Sequence, residues 1–114
     1  MQTNKPIREH GIDKCLIAYN LNVEQGEGRT MIATELEVSE AATAHMILAG
    51  AALRLDPFAL QDICREPLSV KREPCGKIGI YWQDSCLDTF TIQEYTEVIA
   101  DGYIGKNGIL TINW

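Results

Sequence analysis

"KCLIAYNLNVEQGEGRTMIATELEV", residues 14–38, is the stretch whose reading decides the fold. Cys15, Ile17, Tyr19, Leu21 and Val23 alternate with Lys14, Leu16, Ala18, Asn20 and Asn22. A period of two predicts a strand with one buried face. The glycines of "EQGEG" supply a turn. After it, Thr30, Ile32, Thr34, Leu36 and Val38 share one face, opposite Glu35 and Glu37. The whole stretch is therefore expected to be an antiparallel hairpin.

Downstream, Ser39 is a good N-cap and Glu40 suits the positive end of a helix, which predicts a long helix over residues 40–55. That helix is apolar almost all round, interrupted by Thr43, His45 and Arg54, so it should be covered on more than one side. Ala42, Ala49, Gly50 and Ala52 would admit a neighbouring backbone, and a homodimer packed on this helix is expected. Asp56-Pro57 should stop it and start a short second helix.

Prolines 67 and 74 bracket an expected edge strand at 68–71, and "KIGIYWQ" and "CLDTFT" read as two more strands. Thr91 to Glu94 has the form of a capping box; Ile92, Tyr95, Val98 and Ile99 follow at helical spacing, with Gly102 placed to end the helix. Asn107-Gly108 is a strong hairpin signal. Together these elements predict an α+β fold, a single two-layer domain. Its mainly antiparallel sheet of five to seven short strands would pack with one long apolar helix and two shorter ones. Residues 1–11, polar and aperiodic, read as an N-terminal arm, and 12–114 as the domain.

The chain has 114 residues, enough for a core that needs no disulfide or metal. Ten Lys+Arg against sixteen Asp+Glu give a net charge of −6, which disfavours nucleic acid as a partner. No apolar run approaches the roughly 20 residues of a membrane span, and "MQTNKPIREHG" lacks the apolar core of a secretory signal. A cytoplasmic location is expected, with Cys15, Cys64, Cys75 and Cys86 reduced.

The last three of these cysteines stand at equal spacing, but none lies within the two to four residues of another that a zinc knuckle uses, so no metal site is expected. Cys15 and Cys64 read as small buried apolar residues. Cys75 is the candidate reactive thiol, since Lys71, Arg72 and Lys77 would favour its thiolate. His10 reads as a solvated residue of the arm. His45 interrupts an apolar helix; if it faces a cavity it can bind a ligand or act as a base. Neither glycine pair leads into a helix N-terminus as a phosphate loop does, and no calcium loop or other cofactor motif is present.

One surface stands out by charge. Asp84, Asp88, Glu94, Glu97 and Asp101 fall in a segment without Lys or Arg, with Tyr81, Trp82 and Tyr95 interleaved. Carboxylates and aromatic faces together suit a basic protein or an organic cation. The expected function is thus a small non-enzymatic interaction or ligand-binding module with this contact surface. The rival is a small enzyme with a pocket beside the long helix, using His45 with a carboxylate or thiol.

Overall fold

The computed structural model describes residues 5–56, 59–64, 68–101, 103–104 and 110–111, with 62–64, 103–104 and 110–111 described by their backbone. Residues 14–38 form no hairpin. Helices α1 (Pro6–His10), α2 (Ile12–Val23), α3 (Arg29–Leu36) and α4 (Glu40–Leu53) fill the N-terminal half, and α5 (Ala59–Cys64) follows. Strands β1 (Leu68–Arg72), β2 (Ile78–Trp82) and β3 (Ser85–Phe90) make an antiparallel sheet in the order β1-β2-β3. After α6 (Ile92–Asp101), β4 (Tyr103–Ile104) pairs with β5 (Leu110–Thr111).

The fold is α+β, but among the described residues it has six helices and a three-stranded antiparallel sheet instead of a sheet of five to seven strands. Side-chain burial gives the reason. Cys15 and Ala18 are fully buried, and Tyr19 packs on the core beside them, at the i, i+3, i+4 spacing of a helical stripe. Ile17 and Val23, which a strand would have turned inward with Cys15, are 46% and 56% exposed. Apolar residues occupy both registers of "CLIAYNL", so the pattern satisfies either period, and packing against α4 selects the helical one.

The long apolar helix is also corrected. With 14 residues, α4 has an ordinary length of about four turns. Its close neighbour is α2: a Cβ added at Gly50 would stand 2.5 Å from the Tyr19 Cβ and closer still to the Cys15 carbonyl oxygen. The close backbone approach that the glycine permits is made within the chain.

Helix α3 stops without a glycine. Glu37 takes the left-handed conformation at φ 58°, and the Val38 N–H returns to the Ala33 carbonyl at 3.0 Å, a Schellman-type end. Leu55 does the same after α4, at φ 60°, with the Asp56 N–H bonded to the Ala51 carbonyl at 3.0 Å. Between these two ends, Ser39 caps α4 as its sequence implies, its Oγ accepting the Ala42 N–H at 3.0 Å.

The inner face of the sheet carries Leu68, Val70, Ile78, Ile80 and Phe90, in register as Val70↔Ile80 and Ile78↔Phe90. These side chains join Ile32, Met46, Leu60 and Ile99 in a core cluster, each contributing about 1.5–3 kcal/mol by burial. The β1–β2 turn runs Glu73-Pro74-Cys75-Gly76, closed by the Gly76 N–H on the Glu73 carbonyl at 2.9 Å, with Gly76 at φ 91°. The Tyr95 hydroxyl donates to the Ala52 carbonyl at 2.7 Å and fastens α6 to α4.

Residues 6–10, within the stretch read as a polar arm, form α1, with Ile7 buried in the core cluster. The expected helix stop at Gly102, the Asn107-Gly108 turn and residues 112–114 lie outside the described residues. No helix among the described residues is long and apolar enough to cross a membrane.

Candidate functional site

Proline at the first position starts α1, because its missing N–H is not needed there. One turn of helix then puts Pro6, Glu9 and His10 on a common face, at i, i+3 and i+4. On α4, Ala41 and Ala42 stand four and three residues before His45 and so share its side of the helix. Between the two stripes opens a cleft of about 110 Å³, lined by Pro6, Glu9, His10, Ser39, Ala41, Ala42 and His45. Burial of Ile7 holds α1 in place on its other side, and Arg8 ties the helix to α6 through an ion pair with Asp101 at 2.9 Å.

Within the cleft, His10 Nε2 lies 3.4 Å from Glu9 Oε1, with the imidazole largely sheltered and the carboxylate half exposed. His45 is half-buried on the opposite wall. Ser39 is engaged on both sides: its hydroxyl caps α4, and its carbonyl accepts the Thr43 hydroxyl at 2.9 Å. Two imidazoles that can each donate or accept, one carboxylate acceptor and small apolar walls suit a small polar molecule. No group of three or more His, Cys, Asp or Glu among the described residues is arranged to hold a metal ion.

The thiols lie elsewhere. Cys15 is buried between α2 and α4, and burial pushes its pKa up to about 11, which suppresses the nucleophilic thiolate. Cys75 is exposed in the β1–β2 turn. Of the cations expected to activate it, Lys71 stands over the Tyr81 ring, 4.7 Å from the centroid. Cys86 is also exposed, opposite Tyr81, its thiol donating to the Asp88 carbonyl at 3.6 Å. The Arg72↔Ile78 pair adjoins the Cys75 turn, whereas Tyr81↔Cys86 lies toward the other end of β2. Cys64 ends α5.

The acidic and aromatic residues have divided duties. Tyr81 donates its hydroxyl to the Glu73 carboxylate, and this bond, with desolvation, raises its pKa. Gly79 makes room for the pair, since a Cβ there would meet the Glu73 carboxylate and the Tyr81 ring. Glu94 completes the capping box: its Oε1 accepts the Thr91 N–H at 2.9 Å, and the Thr91 hydroxyl accepts the Glu94 N–H at 3.1 Å. Tyr95 is 2% exposed and belongs to the core, and Asp101 is paired with Arg8. Asp88 lies half-buried opposite Ile80 and accepts the Thr89 N–H at 2.9 Å. Trp82 and Asp84 are exposed at the β2–β3 turn, and Glu97 is exposed on α6. Trp82 and Asp84 thus share the turn, whereas Glu94 and Asp101 stand seven residues, about 10 Å, apart along α6.

Glu9, His10 and Ser39 were not singled out by sequence as companions of His45. The available signal was Pro6 followed at helical spacing by Glu9 and His10; read as an extended arm, these residues had no common face. No known family model, curated protein or solved structure matches the chain.

Proposed function

We propose that the protein is a non-enzymatic ligand-binding module of the cytoplasm, and that its ligand occupies the α1–α4 cleft. The observation that supports this reading is the convergence of His10, His45 and Glu9 on one cleft of about 110 Å³. That volume is well below the roughly 300–1,000 Å³ of drug-sized pockets, so the ligand has few heavy atoms. It carries a hydroxyl or amide donor for Glu9 and exchanges hydrogen bonds with the two imidazoles. The same groups could move a proton, but a histidine and a carboxylate are not by themselves a reaction.

The test follows the His10 and His45 ring resonances by NMR while acetamide, glycolate and ethanolamine are added in turn. Saturable, joint movement of both rings by acetamide, abolished in His45→Ala, supports the cleft. Failure of all three probes to move either ring would remove it.

A second reading keeps the contact surface in reduced form. Trp82 and Leu87 are 45% and 42% exposed around the β2–β3 turn, with Asp84 between them in sequence. An aromatic face beside a carboxylate suits an organic cation or a lysine-rich segment of a basic protein. Tetramethylammonium should shift the Trp82 indole N–H and lose affinity in Asp84→Lys. An unmoved indole would dispose of this surface.

A further inference from the structure

A second concavity lies away from the histidine cleft and is independent of it. Asn22 at the end of α2, Arg29 at the start of α3, and Ala44, Ile47 and Leu48 of α4 line a groove of about 280 Å³. The three α4 residues follow at i, i+3 and i+4 and form one apolar stripe. Asn22 is fixed at the rim by its amide, which donates to the Glu27 carbonyl at 2.9 Å.

Arg29 gives the groove its chemistry. It is exposed, and no hydrogen bond or ion pair engages its guanidinium among the described residues, in a chain with sixteen acidic residues. Glu27, whose backbone carbonyl Asn22 holds, does not engage Arg29: its sheltered Oε1 meets no donor among the described residues. Met31 and Val23, two residues and one residue from Arg29 and Asn22 in sequence, are the most exposed large apolar side chains among the described residues, at 58% and 56%.

We infer that this groove binds a short aliphatic carboxylate, its chain on Ala44, Ile47 and Leu48 and its carboxylate on the Arg29 guanidinium. The planar fork of arginine matches a carboxylate with two parallel hydrogen bonds. An organic ammonium would meet repulsion from Arg29, and an uncharged chain would leave the guanidinium unmatched. The volume, just under the lower bound of about 300 Å³ for drug-sized ligands, limits the chain to a short one.

Amide chemical shifts followed during addition of octanoate, octanol or octylammonium test the assignment. Octanoate is expected to bind saturably and to move signals within 22–31 and 44–48, more tightly than octanol, with octylammonium weakest. Arg29→Gln, an exposed change that leaves the core intact, should weaken octanoate about three- to fivefold and leave octanol unchanged, the range of an exposed ion pair. Equal affinity for octanoate and octanol, shifts centred elsewhere, or no effect of Arg29→Gln would each overturn the proposal.

Discussion

At Gly50 two effects of opposite sign compete. Alanine is better than glycine in a helix by about 1 kcal/mol, so on an open surface Gly50→Ala would stabilise. Here the new Cβ would stand 2.5 Å from the Tyr19 Cβ and nearer the Cys15 carbonyl, atoms fixed by the backbone of α2. Overpacking costs about 1–3 kcal/mol, and the helices must separate to relieve it. Gly50→Ala should therefore destabilise by about 1–2 kcal/mol in urea unfolding. A gain in stability would mean that α2 does not touch α4 here. Glu27 offers a second test. Desolvation first, then the hydrogen bond and charge of Glu35, hold its carboxyl above the usual carboxylate range. A raised folded pKa means that the native state binds this proton more tightly than the unfolded chain. The site thus weakens the fold at neutral pH, and the deficit disappears as pH falls through the raised pKa toward the unfolded value of about 4.3. Glu27→Gln should be more stable than the native protein at neutral pH, with the difference closing on acidification. A difference independent of pH would contradict the raised pKa.

At the level of elements, the 14–38 stretch separates its two readings sharply. In a strand, Ile17 shares the buried face of Cys15 and Ala18 points away; in α2, Ala18 is fully buried and Ile17 is 46% exposed. Ile17→Ser should cost under about 1 kcal/mol, whereas Ala18→Asp, which buries an unpaired charge, should cost more than about 3 kcal/mol or prevent folding. The opposite order in thermal unfolding would restore the hairpin. The legible elements were those with chemical punctuation: Ser39 before α4, the Thr91–Glu94 capping box before α6, and Pro74 just after β1. The illegible ones lacked it. Helix α3 ends on Glu37 in a left-handed conformation that glycine usually fills, so nothing local marked "RTMIATEL" as helical. In α2, the decision rests on contacts with α4, which sequence periodicity does not contain.

Across the whole molecule, the site was half legible. His45 stood out as a polar ring in an apolar helix, but Glu9 and His10, which line the cleft with it, come from a short helix whose apolar contribution to the core is Ile7. The acidic run was legible as charge and illegible as use. Glu94 caps a helix, Tyr95 fills the core, and Asp101 joins Arg8 near the opposite end of the chain. Ile7 in the core and the Arg8–Asp101 pair at the surface hold α1, which with α4 lines the cleft. Shared use of that cleft by both histidines is most directly tested by a double-mutant cycle on acetamide affinity, using native protein, His10→Ala, His45→Ala and the double variant. Two groups holding one ligand should couple by at least about 0.5 kcal/mol. Strict additivity, or affinity unchanged by either substitution, would contradict a common site.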